Sequence, residues 1–287
     1  MSSSSYPKPK GLINTGSTCF FNSLLQCLLS CKELNNMLLS REKIYIKDNN
    51  TVALNYIHIY RLYVNNPGPI NPSILLNSIR RLSSSKTFKT GQQDSGECFH
   101  IFLDLINDSV IYDLFMYRYI VKIWCYECKS EISVKKDESC LLEMPNTLSG
   151  FMPIDGETEF NTHIRNNLSI LDGYKCNHCE SKKCFRTYQL TSTPKILVIM
   201  FNKFYIKKNI IFDKYIKIPS IRGNDFKYQL VSLINHHGSM RGGHYVSNSL
   251  RTFNNKIDYV NLNDSRVSIP GSITPNVNSY ILFYNII

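Results

Sequence analysis

The 287-residue chain is 43% hydrophobic, which allows a sizeable buried core and excludes a disordered protein. Its formal charge of +11, from 33 basic and 22 acidic residues, is spread along the chain, as on a solvated basic surface, and gives no dense run for a nucleic acid. No window approaches 18 consecutive apolar residues, and MSSSSYPKPK offers neither a signal-peptide core nor a myristoylation glycine, so neither membrane insertion nor secretion is expected. Ten cysteines are then expected in a reducing compartment, cytosol or nucleus, where paired cysteines point to metal or catalysis rather than disulfides.

Residues 1–10, with four serines and two prolines, read as a disordered lead-in, and the fold is expected to start at Gly11. From Cys19 the apolar residues Phe21, Leu24, Leu25, Leu28, Leu29, Leu34, Met37 and Leu38 keep a three-to-four spacing, which predicts a helix with Cys19 at its N-terminus. Further helical patterns run from Val52 to Val64 and from Ser73 to Leu82, and another opens near Asp94 and carries Phe99, Phe102, Leu103 and Ile106 inward. Later stretches, YRYIVKIWCYECKSEISVKK, FRTYQLTSTPKILVIMFNKFYIKK, YQLVSLINHHG, GGHYVSNSL, DYVNLND and SYILFYNI, are β-branched and aromatic with turn signals between them, and predict a sheet. With no repeats and no flexible linker, the two parts are expected to pack as one α+β unit with a cleft between them.

Two motifs bear chemistry. Cys125 and Cys128 in CYEC and Cys176 and Cys179 in CNHC each bring two thiolates to one turn, the spacing of a tetrahedral zinc site whose four sulfurs leave no position for a reactive water. A single such pair could be a redox motif; two favour structural Zn2+. His178 lies between two ligands as a bystander, and Cys27, Cys31, Cys98, Cys140 and Cys184 read as packing residues. Cys19 could be core filler or a nucleophile favoured by the helix terminus, which lowers a thiol pKa. A base is offered by His244, where two preceding glycines in RGGHY let another backbone approach. Asn263 or Asp264 could orient that imidazole, and Asn14 could stabilise an oxyanion together with the Cys19 N–H.

Taken together, GLINTGSTCFFNSLLQCL, GQQDSGECFHIFLDLI, YQLVSLINHHGSMRGGHYVS with YVNLNDSRVS, and SYILFYN resemble the cysteine box, the glutamine–aspartate–glutamate helix, the histidine box and the final strand of the ubiquitin-specific protease family. The resemblance spans nearly the whole chain. It implies a papain-like cysteine peptidase with a helical thumb, about 11–112, and a β-sheet palm and zinc-ribbon fingers, about 113–287. It also implies hydrolysis after the C-terminal glycine of ubiquitin through an acyl-enzyme thioester. By the same resemblance Cys19 is the nucleophile, His244 the general base, Asn263 the orienting residue with Asp264 its alternative, and Asn14 the oxyanion donor. Asp94, Glu97, Gln93, His236, Gly243 and Tyr245 would line the path of the ubiquitin tail. The sequence departs from common family residues at Ser17, Phe20, Asn263 and Tyr259. A monomer acting on ubiquitinated proteins is expected. The alternatives are a protease for another ubiquitin-like modifier, a ubiquitin-binding module that does not cleave, and a zinc-stabilised nucleic-acid binder.

Overall fold

The computed structural model describes residues 6–144, 168–171, 173–201, 212–218, 225–239, 242–269, 271, 273, 274 and 276–287. Residues 202–208 of the predicted FNKFYIKK strand and Arg241 of RGGHY lie outside the described residues. Seven helices come first among the described elements: α1 (Cys19–Leu28), α2 (Lys32–Ser40), α3 (Glu42–Lys47), α4 (Thr51–Asn65), α5 (Ser73–Leu82), α6 (Ser95–Ile106) and α7 (Ser109–Phe115). Twelve strands follow: β1 (Tyr117–Cys125), β2 (Glu131–Ser139), β3 (Leu142–Met144), β4 (Leu168–Leu171), β5 (Cys184–Ser192), β6 (Ile196–Phe201), β7 (Tyr215–Ile218), β8 (Phe226–Ser239), β9 (Gly242–Phe253), β10 (Lys256–Asn263), β11 (Arg266–Ser268) and β12 (Ser279–Ile286). The run of helices ends with α7 at Phe115.

The apolar run from Cys19 to Leu38 is two helices rather than one. At the end of α1 the backbone tightens, with Ser30 N–H donating to Cys27 C=O and Cys31 N–H to Leu28 C=O. The guanidinium of Arg251, from β9, takes the Gln26 carbonyl at 2.9 Å and its side-chain oxygen at 2.7 Å. A helix end must place its last carbonyls on some donor, and here a sheet residue supplies it.

Every residue of α1 is buried, and the helix packs against β8, β9, β10 and α6. The palm sheet has the order β11-β10-β9-β8-β12-β6-β3, with β7 added beside β8, and is antiparallel except where β3 pairs with β6. The order β2-β1-β5-β4 forms a separate antiparallel sheet. A large core between α1, the other helices and one face of the palm includes Phe20, Leu24, Phe99, Phe102 and Phe283, and a second core, with Tyr228, Leu233 and Tyr284, fills the other face. No described helix is long and apolar enough to cross a membrane.

Residues 6–10 are not the loose lead-in expected from their composition. Tyr6 is buried beneath the Lys32 ammonium at 3.9 Å, and the Pro7 carbonyl accepts from Thr252 N–H at 3.2 Å. The buried Lys10 ammonium donates to the carbonyls of Tyr63 and Val64. One aromatic ring and one long aliphatic stem anchor a segment whose composition predicts no order.

Candidate active site

Asn14, Gly16 and Thr18 make the turn that leads into α1. The Asn14 side-chain oxygen accepts from Gly16 N–H at 2.9 Å, Thr18 N–H at 3.2 Å and the Thr18 hydroxyl at 3.1 Å. With its oxygen so committed, the Asn14 amide nitrogen points outward and donates to Asp264 Oδ2 at 2.9 Å. Asp264 Oδ1 accepts from the Asn22 amide at 2.7 Å; Asn22 is one turn into α1 from Cys19. Asp264 has φ 49°, a left-handed conformation open to Asp and Asn. Its carbonyl accepts from Leu12 N–H at 2.8 Å. Gly11 allows this approach, since a Cβ there would stand 2.4 Å from the Ser265 carbonyl oxygen.

The Cys19 sulfur is buried, and the backbone N–H groups of Tyr245, Phe20 and Cys19 itself lie near enough to favour its thiolate. Burial nevertheless pushes its thiol above the ordinary thiol pKa, and the Asp264 charge pushes the same way, against those three N–H groups. The helix terminus alone predicts the opposite direction; desolvation outweighs it in the free protein. His244 precedes Tyr245 on β9, and its Nε2 lies 2.7 Å from Asn263 Oδ1 at the end of β10. An amide oxygen can only accept, so Nε2 is the donor in this pair. Of the expected site residues, Asn263 thus faces the His244 imidazole and Asp264 faces the Asn14 amide.

The residues expected along the tail path divide differently. Asp94 caps α6 through Oδ1, which accepts from Gly96 N–H at 2.8 Å and Glu97 N–H at 3.0 Å. Its Oδ2 accepts from the hydroxyls of Tyr280 at 2.6 Å and Tyr245 at 3.3 Å. Glu97 is half-buried and takes a 3.3 Å hydrogen bond from Ser85. His236 is 3% exposed, with its ring 4.4 Å from that of Tyr245. The cause is Gly243, where a Cβ would meet His236 Nε2 at 2.4 Å, so the imidazole fills the space a side chain would take. The Tyr245 ring is also internal. The Gln93 amide donates within its own loop, to Thr87 C=O at 3.1 Å and Thr90 C=O at 2.7 Å, while Gln92 reaches Gly243 C=O at 2.6 Å. Gln92 and Asn22 lie inside the quoted motifs without a chemistry-bearing spacing of their own, whereas the spacing of Asn14 and Thr18 could have been read as a polar turn that locks the Asn14 amide.

At the far end of the smaller sheet, Cys125, Cys128, Cys176 and Cys179 place their sulfurs within 4.8 Å of one another. Cys125 and Cys179 sulfurs are 3.5 Å apart, and those of Cys128 and Cys176 are 3.7 Å apart. Four ~2.3 Å bonds to a tetrahedral ion give an edge of about 3.8 Å, so the donor set and its size fit zinc. The thiols titrate as one set: Ser130 lowers Cys128, while the neighbouring sulfurs raise Cys179, so a bound cation would be needed to deprotonate all four. Cys184 packs against the cluster as a core residue. Cys140 lies 3.6 Å from His100 Nδ1.

A buried cysteine at a helix start, set against a strand that holds an Asn-paired histidine, is the arrangement of papain-like thiol peptidases. The sequence profile of Ubiquitin carboxyl-terminal hydrolase matches residues 10–284, and the chain belongs to that family. It is 25% identical to Ubiquitin carboxyl-terminal hydrolase 2 of Bos taurus, an alignment that takes in 100% of this chain and 56% of that protein. It is 27% identical to Ubiquitin carboxyl-terminal hydrolase Usp2 of Drosophila melanogaster, over 96% of this chain and 34% of the relative. The chain thus spans about half or less of these relatives. Among solved structures, the SAGA Ubp8/Sgf11/Sus1/Sgf73 DUB module bound to ubiquitin aldehyde matches with a TM-score of 0.71 at 20% identity, covering 100% of this chain and 71% of that one. That likeness supports the thumb, palm and fingers fold.

Proposed function

We propose that this chain is a thiol-dependent deubiquitinase that cleaves isopeptide or peptide bonds after the C-terminal glycine of ubiquitin. The observation that carries this reading is the His244–Asn263 pair at 2.7 Å, on a strand packed against the helix that Cys19 begins, within a family-matched fold. Cys19 Sγ attacks the glycine carbonyl carbon while its proton passes to His244 Nδ1. Charge developing on the carbonyl oxygen is met by the Asn14 amide and the Cys19 N–H. His244 then returns the proton to the leaving lysine amine as the C–N bond breaks, leaving a thioester. Water deprotonated by His244 attacks that thioester and releases the carboxylate and the Cys19 thiol. Asn263 holds the imidazole, and Asp264 acts through Asn14. The ubiquitin aldehyde on the similar module supports ubiquitin as partner.

The four cysteines are proposed to hold one structural Zn2+, which supplies a cross-link between two hairpin turns and no reactive water. A ubiquitin probe with a C-terminal electrophile tests the main reading. Wild-type protein is expected to be labelled at Cys19 and Cys19→Ala not at all. Labelling only by probes built on other ubiquitin-like modifiers moves the function to the rival protease, and binding without labelling moves it to a non-cleaving module.

A further inference from the structure

The contact between Gln92 and Gly243 has no role in the chemistry just described. It joins residues 151 positions apart, from the loop that enters α6 to the first residues of β9. The loop itself is stiffened from behind. Lys89 donates to the carbonyls of Arg80 and Ser83, and Arg80 donates to Gly91 C=O at 2.8 Å. Gly91 adopts φ +73°, turning the chain so that the next side chain, Gln92, faces the palm.

The acceptor is the informative partner. Gly243 immediately precedes His244 on β9, the strand packed against the helix that Cys19 begins, and the Tyr245 backbone, two residues on, lies near the Cys19 sulfur. A peptide tail whose last carbonyl sits on Cys19 must therefore run beside this part of β9, and an extended tail needs carbonyls on the wall to take its backbone N–H groups. The Gly243 carbonyl is the wall acceptor next to the base. In the free protein it is occupied at 2.6 Å by a primary amide, a group with the chemistry of a peptide N–H. The contact is only partly buried, so it can be exchanged without unpacking the core.

We infer that Gln92 is a latch: its amide stands in for a substrate backbone N–H on Gly243 C=O, and the incoming glycine-ended tail displaces it. This rests on the deubiquitinase reading and adds to it a residue that sets substrate affinity. The free protein is held closed, so measured affinity is reduced by the fraction of time the latch is shut. Removing the donor leaves the closed form without its bond and frees the carbonyl for the tail.

The test is steady-state hydrolysis of ubiquitin C-terminal aminomethylcoumarin by wild type, Gln92→Ala and Gln92→Leu, with melting curves to confirm the fold. The leucine variant keeps bulk and loses the donor. Both variants are expected to lower KM by about three- to tenfold, the scale of one net hydrogen bond, with kcat within about twofold of wild type. In a Cys19→Ala background, Gln92→Ala is expected to tighten ubiquitin binding by the same factor, a readout that needs no turnover. An unchanged or raised KM overturns the latch, as does a fall in kcat alone, which assigns Gln92 to positioning His244. A lower KM in the alanine variant but not the leucine variant also overturns it, since bulk and not the bond is then responsible. Absence of wild-type turnover and labelling overturns the deubiquitinase reading and the latch with it; wild-type turnover with unaltered variants overturns the latch alone.

Discussion

Adjacent side chains, Asn263 and Asp264, do different work. Asn263 Oδ1 faces the imidazole and Asp264 faces the amides of Asn14 and Asn22. Replacing Asn263 by alanine should cut kcat by at least about tenfold and alter the pH profile, since the ring loses the partner that fixes its tautomer. Asp264→Ala should also cut kcat, but through Asn14. The two pathways separate in a double-mutant cycle on turnover of a ubiquitin fluorophore: Asp264→Ala and Asn14→Ala should be strongly non-additive, and Asn263→Ala with Asn14→Ala closer to additive. The reverse pattern would reassign the two residues. Burial of the Cys19 sulfur has its own consequence. Its alkylation by iodoacetamide in the free protein should keep rising with pH through the ordinary thiol range, because the raised pKa leaves the resting group a thiol. A rate already flat near neutrality would instead reveal a standing thiolate–imidazolium pair. The residue types of this site were legible in the sequence, because a nucleophile at a helix start and a histidine after two glycines leave local marks. The contact between Asp264 and Asn14 spans 250 positions and leaves none, which is why the role of the third residue stayed open.

Among the elements, the helices show how far hydrophobic period carries. The segments Val52–Val64 and Ser73–Leu82 match α4 and α5 within a residue or so, because each buries one face. The break between α1 and α2 is invisible to period, since the apolar spacing continues across it and the cause is Arg251 arriving from β9. For the smaller sheet, the paired cysteines announced the cluster, while their closeness depends on β1 and β5 lying side by side, with Cys125 opposite Cys184. Replacing Cys176 by serine should lower the melting temperature and weaken ubiquitin binding. It should leave iodoacetamide reactivity at Cys19 unchanged, because the two sites lie on different elements. Metal analysis of the purified wild type should find about one zinc per chain, and a metal-free protein of unaltered stability would remove the zinc assignment.

On the scale of the whole molecule, Arg251 ties the thumb to the palm from inside. It is fully buried and bonds the hydroxyls of Ser30 and Tyr63, the Leu250 carbonyl and both oxygens of Gln26. Among the described residues these partners include no carboxylate, so the charge is spread over neutral dipoles. Arg251→Met would leave several buried acceptors unpaired and should cost about 2–4 kcal/mol, read as a lower urea midpoint at unchanged slope. Arg251→Lys should not recover it, because one ammonium cannot span the fork. An unaltered midpoint in the methionine variant would show that the thumb and palm do not rely on this contact.

Asp94 gives its two oxygens to different bodies, one to the amides that begin α6 and the other to hydroxyls on β9 and β12. Parting of thumb and palm would therefore pull on the same carboxylate that stops the first turn of α6 from fraying. Amide hydrogen exchange at Gly96 and Glu97 thereby becomes a gauge of how often the cleft walls separate. Mild denaturant that loosens the joint should speed exchange at these two positions before it touches the interior of the helix.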